Sequence, residues 1–157
     1  MKKEIKIPGL DDERELVKEI LLSTKNIAVV GFSRDPTKNA HIVPMYLKSQ
    51  GYSVFPVNPN ADEIAGLKCF HSLDELYSHG IKVDTVLIFR PSNEAFEIVN
   101  QSLKLKPKYI WMQVGIEDQK AAELARNNGI KVVMNKCMMV SHKSFLSNLG
   151  DKNSNKK

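Results

Sequence analysis

One loop, Gly31-Phe-Ser-Arg-Asp-Pro-Thr-Lys38, carries the chemistry of an anion site. Gly31 lets the backbone approach a ligand closely because it has no Cβ. Ser33 brings a hydroxyl donor, and Arg34 and Lys38 bring positive charge. The helix expected after them points free N–H groups at the same place. These are the needs of a phosphate or diphosphate. The competing reading is a plain strand-to-helix turn with solvated basic side chains, and the agreement of position with charge favours the anion site.

Further candidates lie downstream. Gln113 and Gly115 close a later apolar run. Gln113 either hydrogen-bonds a ligand amide or ribose, or caps a neighbouring loop. Cys137 follows the last apolar run, where a ligand thiol can reach it. A mixed disulfide or a nucleophile is one reading of it, and burial as a small apolar side chain is the favoured one. Lys136 beside it would lower its pKa if the ammonium points that way. Cys69 and Cys137 make no disulfide framework. His41, His71, His79 and His142 show no metal-ligand spacing, so no metal site is expected. His41, behind the basic loop, is the best ligand candidate among them, with a structural role favoured. Trp111 lies inside an apolar run and reads as core. No base–nucleophile pair is visible, and no residue is assigned a catalytic role.

These residues hang on an alternation of apolar runs and amphipathic stretches. The runs Ile27–Val30, Tyr52–Val57, Val83–Phe89, Tyr109–Val114 and Ile130–Met134 are short, β-branched and bounded by turn residues, which marks strands. Several are apolar on both faces, as in a sheet covered by helices on both sides. Helices are expected from a cap at Asp11 or Asp12 through Leu21, over Asn39–Gln50, after a capping box at Ser72–Glu75, over Asn93–Leu105 with Phe96, Val99 and Leu103 on one face, over Glu117–Asn128, and over Val140–Asn148. Pro44 should sit in the first turn of its helix or kink it. Leu67–Phe70 reads as a short edge strand. The fold class is therefore α/β, a three-layer doubly wound parallel sheet in the order 3-2-1-4-5-6 with an N-terminal helix. Ligands of such sheets bind beyond the strand carboxyl ends at the switch point. There the loops Gly31–Lys38 and Phe89–Asn93 converge, flanked by Asn58-Pro59 and Gln113–Gly115.

At 157 residues, with 42% hydrophobic and 26% charged residues, the chain suits one domain with a full core. The expected division is an N-terminal helical extension over 1–25, the ligand-binding domain over 26–149, and a disordered tail over 150–157. The net charge of +5 looks like a nucleic-acid signal. Each end carries about +2, however, which leaves about +1 for the body, and solubilising ends are the favoured reading. No apolar run approaches the ~20 residues of a membrane span, and no apolar stretch follows the N-terminal lysines. The expectation is a cytoplasmic protein without nucleic-acid or membrane partners.

Ordinary NAD sites prefer G-x-G-x-x-G in the first loop and a carboxylate at the end of the second strand. Here the loop has only Gly31, and Val57-Asn58-Pro59 holds no carboxylate. Instead, Ile27–Pro36, Tyr46–Pro59, Gly66–Leu73, Phe89–Pro91, Trp111–Ile116, Val132–Met138 and His142 resemble the small stand-alone CoA-binding proteins with a Rossmann-like fold. The resemblance covers Ile27 to Phe145. It implies binding of coenzyme A, with the diphosphate on the first loop and adenosine near Val57 to Pro59 and Phe89 to Pro91. The candidate site residues are Gly31, Phe32, Ser33, Arg34 and Lys38 on the first loop; Val57, Asn58 and Pro59 on the second; Phe89, Arg90 and Pro91 on the third; and Gln113, Gly115 and Cys137. The resemblance also implies kinship with domains of succinyl-CoA ligases and ADP-forming acyl-CoA synthetases.

The leading function is a coenzyme A or acyl-CoA binding protein without an evident catalytic centre. One alternative is an NAD(P)-binding oxidoreductase or redox-sensing subunit, with Arg34 and Lys38 on the 2′-phosphate of NADP. Another is a non-catalytic subunit of an acyl-CoA ligase with a separate partner subunit, and a homodimer is a further possible assembly. Replacing Arg34 and Lys38 together by alanine is expected to cost about 2–5 kcal/mol of ligand binding.

Overall fold

The computed structural model describes residues 10–154. In chain order the first half holds α1 (Leu10–Ser23), β1 (Asn26–Val30), α2 (Asn39–Ser49), β2 (Ser53–Val57), β3 (Glu63–Ile64), β4 (Leu67–Lys68) and α3 (Leu73–Ser78). The second half holds β5 (Thr85–Ile88), α4 (Ser92–Ser102), a 3₁₀ turn (Leu103–Leu105), β6 (Tyr109–Met112), α5 (Gln119–Asn127), β7 (Lys131–Val133) and α6 (Met138–Ser154).

Five strands form one parallel sheet in the order β2-β1-β5-β6-β7. All residues of β5 and β6 are buried, because helices cover both faces. Alternate residues of each strand feed separate cores. Ala28, Val86, Ile110 and Val132 pack with Leu76, Val99 and Ala122 from α3, α4 and α5. Ile27, Leu87, Trp111 and Val133 pack with Ile20, Leu47 and Met138 from α1, α2 and α6. Trp111 is fully buried and donates its Nε1–H to the Lys136 carbonyl at 2.8 Å.

The fold class is as expected, and the edge of the sheet differs. Leu67-Lys68 is not a third strand of the main sheet. It turns back on Glu63-Ile64 as an antiparallel hairpin, with Ala65 and Gly66 at φ +53° and +77°. Two consecutive left-handed residues make the tight reversal that suits a hairpin twist. Phe70 joins β2 through a parallel bridge to Val57.

Smaller differences have equally local causes. On α4 the buried positions are Ala95, Ile98, Val99 and Ser102, and Phe96 is exposed. α1 starts at Leu10, so Asp12 lies inside its first turn, where a carboxylate favours the helix dipole instead of capping it. Ser72 caps α3 as expected, accepting the Glu75 N–H at 3.1 Å. α6 runs past Asn148 to Ser154. Residues 155–157 of the expected tail and 1–9 of the expected extension lie outside the described residues.

Pro44 stands beyond the first turn of α2 and is buried. Having no N–H, it leaves the Ala40 carbonyl without its helical donor. That carbonyl accepts the Ser33 N–H instead, at 3.0 Å. A helix imperfection thereby anchors the loop before the helix.

Candidate functional site: a cleft at the carboxyl ends of β1, β2 and β5

The carboxyl ends of β1, β2 and β5 open onto a cleft of about 520 Å³, within the range of small-molecule sites. Its floor is Gly31. This residue takes φ +91°, and a Cβ there would lie 3.0 Å from Cδ of Arg90. The positive φ favours glycine, and a Cβ there would push the Arg90 stem aside. The Gly31 N–H continues the ladder onto the Val57 carbonyl at 3.0 Å.

The loop after Gly31 is held from several sides. Oγ of Ser33 accepts the Asp35 N–H at 3.1 Å, which leaves its own proton free to donate. The Asp35 carboxylate accepts the Thr37 hydroxyl and N–H at 2.7 and 2.9 Å, which holds its pKa below the ordinary value. Nδ1 of His41 meets the Ser33 carbonyl at 2.7 Å, and the ring stands edge-on to Phe32 at 5.6 Å. His41 thus props the loop and does not line the cleft. Lys38 lines the cleft and precedes α2 with no capping bond from its side chain. The first N–H groups of α2 remain uncovered by that side chain, as an anion requires.

A second wall comes from the β2 end. Asn58 donates Nδ2–H to the Phe32 carbonyl at 3.0 Å and accepts the Asn60 N–H at 2.9 Å. Its carboxamide therefore clamps two loops together. Pro59, Asn60, His71, Ser72 and Leu73 continue this wall. The imidazole of His71 lies between two carboxylates, with Nε2 2.7 Å from Asp62 and Nδ1 3.0 Å from Glu75. Ionised carboxylates only accept, so this placement favours the doubly protonated imidazolium, in which each ring nitrogen donates to one of them. The Asp62 bond is the main cause that raises the His71 pKa above 6.5.

The third wall is Phe89, Arg90 and the face of α4 bearing Glu94, Ile98 and Gln101. Arg90 and Glu94 pair twice, Nη2 to Oε2 at 2.9 Å and Nε to Oε1 at 3.3 Å.

The cleft thus gathers Gly31, Phe32, Ser33, Lys38, Val57, Asn58, Pro59, Phe89 and Arg90. Five other candidates stand elsewhere. Arg34 is exposed in the turn beside the cleft, and Pro91 is the exposed N-cap of α4. Gln113 is buried, and its Oε1 accepts the Met138 N–H at 2.8 Å, capping α6. The Gly115 N–H donates to Oδ1 of Asn135 at 2.7 Å. Cys137 is half-buried against the α1–α2–α6 core. The ammonium of Lys136 stands 3.7 Å from Glu13. Cys69 is buried, which pushes its thiol pKa up. Among the cleft residues that sequence reasoning missed are Asn60, His71, Ser72, Glu94, Ile98 and Gln101. The last three recur at helical spacing, a signal hidden by the search for an apolar stripe. Among the described residues, no group of three or more His, Cys, Asp and Glu is arranged to hold a metal, and no helix is long and apolar enough to cross a membrane.

Residues 25–143 match the family model described as the CoA binding domain. The chain belongs to this family. It is 34% identical to the uncharacterized protein YneT of Bacillus subtilis (strain 168) over 126 residues, covering 80% of this chain and 91% of that protein. It is 27% identical to acetate–CoA ligase [ADP-forming] II of Archaeoglobus fulgidus over 71% of this chain, and spans only 18% of that ligase. Among solved structures, a hypothetical protein from Pyrococcus horikoshii OT3 shares 37% identity with a TM-score of 0.80, covering 93% of this chain and 99% of that one. Acetyl-coenzyme A synthetase 1 of Ca. Korarchaeum cryptofilum, solved with phosphate and ADP, shares 28% identity with a TM-score of 0.64, covering 73% of this chain and 26% of that one. This CoA-binding domain is thus related to acyl-CoA ligase subunits. The Ser33 hydroxyl, the Lys38 ammonium and the start of α2, which line the cleft with Gly31, are chemistry that fits a diphosphate.

Proposed function

We propose that the cleft binds coenzyme A or an acyl-CoA. Ser33, Lys38 and the first N–H groups of α2 hold the diphosphate. Val57, Pro59, Leu73 and Ile98 offer apolar surface to the adenosine. The observation that carries this reading is the loop from Gly31 through Ser33 and Lys38 into α2, which lines the cleft in a chain of the CoA-binding domain family. A typical NAD site has a ribose carboxylate at the β2 end, and here that place holds the Asn58 carboxamide, engaged with Phe32 and Asn60. No residue in the cleft forms a nucleophile–base pair, and the reading assigns binding without a reaction.

Isothermal titration with CoA, acetyl-CoA, NAD and NADP tests it. CoA or acetyl-CoA should bind more tightly than either nicotinamide dinucleotide. Tighter binding of NAD or NADP would overturn it. The kinship with ADP-forming ligases supports a second role for the same site, as the CoA-holding part of an assembly with a separate ligase subunit. Co-purification of a ligase subunit with the tagged protein supports that role, and a CoA-loaded protein that purifies alone counts against it.

A further inference from the structure

The Arg90–Glu94 pair has a feature that diphosphate binding leaves unexplained. The stem of Arg90 lies across Gly31, with Cδ and Cγ at 3.0 and 3.3 Å from the position of a Cβ. Glu94, one helical turn further on, holds the guanidinium by two contacts. The two side chains are 49% and 44% exposed, so a ligand reaches both. An ion pair this exposed is weak, and exchange of one partner for a phosphate costs little. A guanidinium beside a carboxylate offers a charged double donor next to an acceptor. Its chemical complement is a phosphate group next to a hydroxyl. A diphosphate has no such hydroxyl, and Ser33, Lys38 and α2 already provide for it. A ribose bearing a 3′-phosphate and a free 2′-hydroxyl matches.

Resting on the coenzyme A reading, we infer that Arg90 and Glu94 recognise the 3′-phosphorylated ribose. Arg90 turns a donor from Glu94 to the 3′-phosphate, and Glu94 accepts the hydrogen bond of the 2′-hydroxyl. The cleft then selects coenzyme A over its 3′-dephosphorylated form, and Arg90 is the specificity-determining residue.

The test is titration of CoA and dephospho-CoA into the wild-type protein, Arg90→Ala, Arg90→Lys and Lys38→Ala, each checked for folding by circular dichroism. The wild type should prefer CoA by about tenfold or more. Arg90→Ala should bring the two ligands within about twofold of each other, chiefly through weaker CoA binding. Arg90→Lys should keep part of the preference, because it keeps a point charge and loses the fork. Lys38→Ala should weaken both ligands alike. Equal wild-type affinities, or a preference that survives Arg90→Ala, overturns the inference while leaving the coenzyme A reading intact. A wild type that binds neither ligand overturns both.

Discussion

Lys38 and Arg34 carry the same charge four residues apart, and the fold separates their roles. Lys38 lines the cleft at the start of α2, whereas Arg34 stands outside it. Lys38 is itself exposed, so the cost expected for removing both shrinks to a smaller one that falls on Lys38 alone. Lys38→Ala should weaken CoA binding about tenfold, and Arg34→Ala should change it by less than about twofold, read by titration calorimetry. A larger loss from Arg34→Ala would relocate the anion site. His71 sets a second expectation at this scale. Its pKa is raised, so its stabilising contribution is complete below 6.5 and disappears as pH rises through the folded value. Glu75 is lowered, chiefly by the His71 N–H, so its contribution is complete above 4.5 and disappears as pH falls through the folded value. The Asp62–His71–Glu75 contact should be strongest between those two values. From about pH 6 to pH 9 His71 lowers stability and buried His142, whose pKa burial lowers, raises it, so His71→Asn should shift the urea-midpoint profile towards a rise with pH. A His71→Asn profile parallel to the wild type would remove the imidazolium assignment. The loop residues were legible from type and position, because glycine, hydroxyl and lysine before a helix can serve few purposes. His71 was not, because its charge comes from Asp62 and Glu75, which only folding brings to both ring nitrogens.

At the scale of elements, α2 and the β3–β4 hairpin shape the site. Pro44 was expected to disturb its helix, and the disturbance has a use: the Ala40 carbonyl holds the Ser33 N–H. Pro44→Ala restores a competing donor for that carbonyl. The Ser33 amide should then exchange with deuterium faster, and CoA affinity should drop, while α2 keeps its helical signal. Unchanged protection of Ser33 would show that the proline plays no part in holding the loop. The hairpin teaches the opposite lesson. Leu67–Phe70 has the composition of an edge strand, but its pairing is decided by the left-handed turn at Ala65-Gly66. Pairing partners follow from turn geometry, which a local apolar pattern does not encode.

For the whole molecule, the five-stranded sheet separates two cores and leaves the cleft at the ends of three of its strands. The ligand is expected to bind the folded state alone. Coenzyme A at about one hundred times its Kd should then stabilise the protein by about 2.7 kcal/mol, seen as a rise in Tm. The buried Trp111 reports it without a label, since its emission shifts red on unfolding. No rise in Tm at saturating coenzyme would contradict the binding role. By itself the sequence determined the α/β class, the five apolar runs that pair in the parallel sheet, and the basic glycine loop, because hydrophobic period and turn residues are properties of short segments. Only the tertiary structure decided that Gln113, Gly115 and Cys137 stand apart from the cleft, that Asn58 is a clamp, and that Arg90 is held by Glu94. These depend on where helices α4 and α6 pack against the sheet, and that packing is set by side chains distant in the chain.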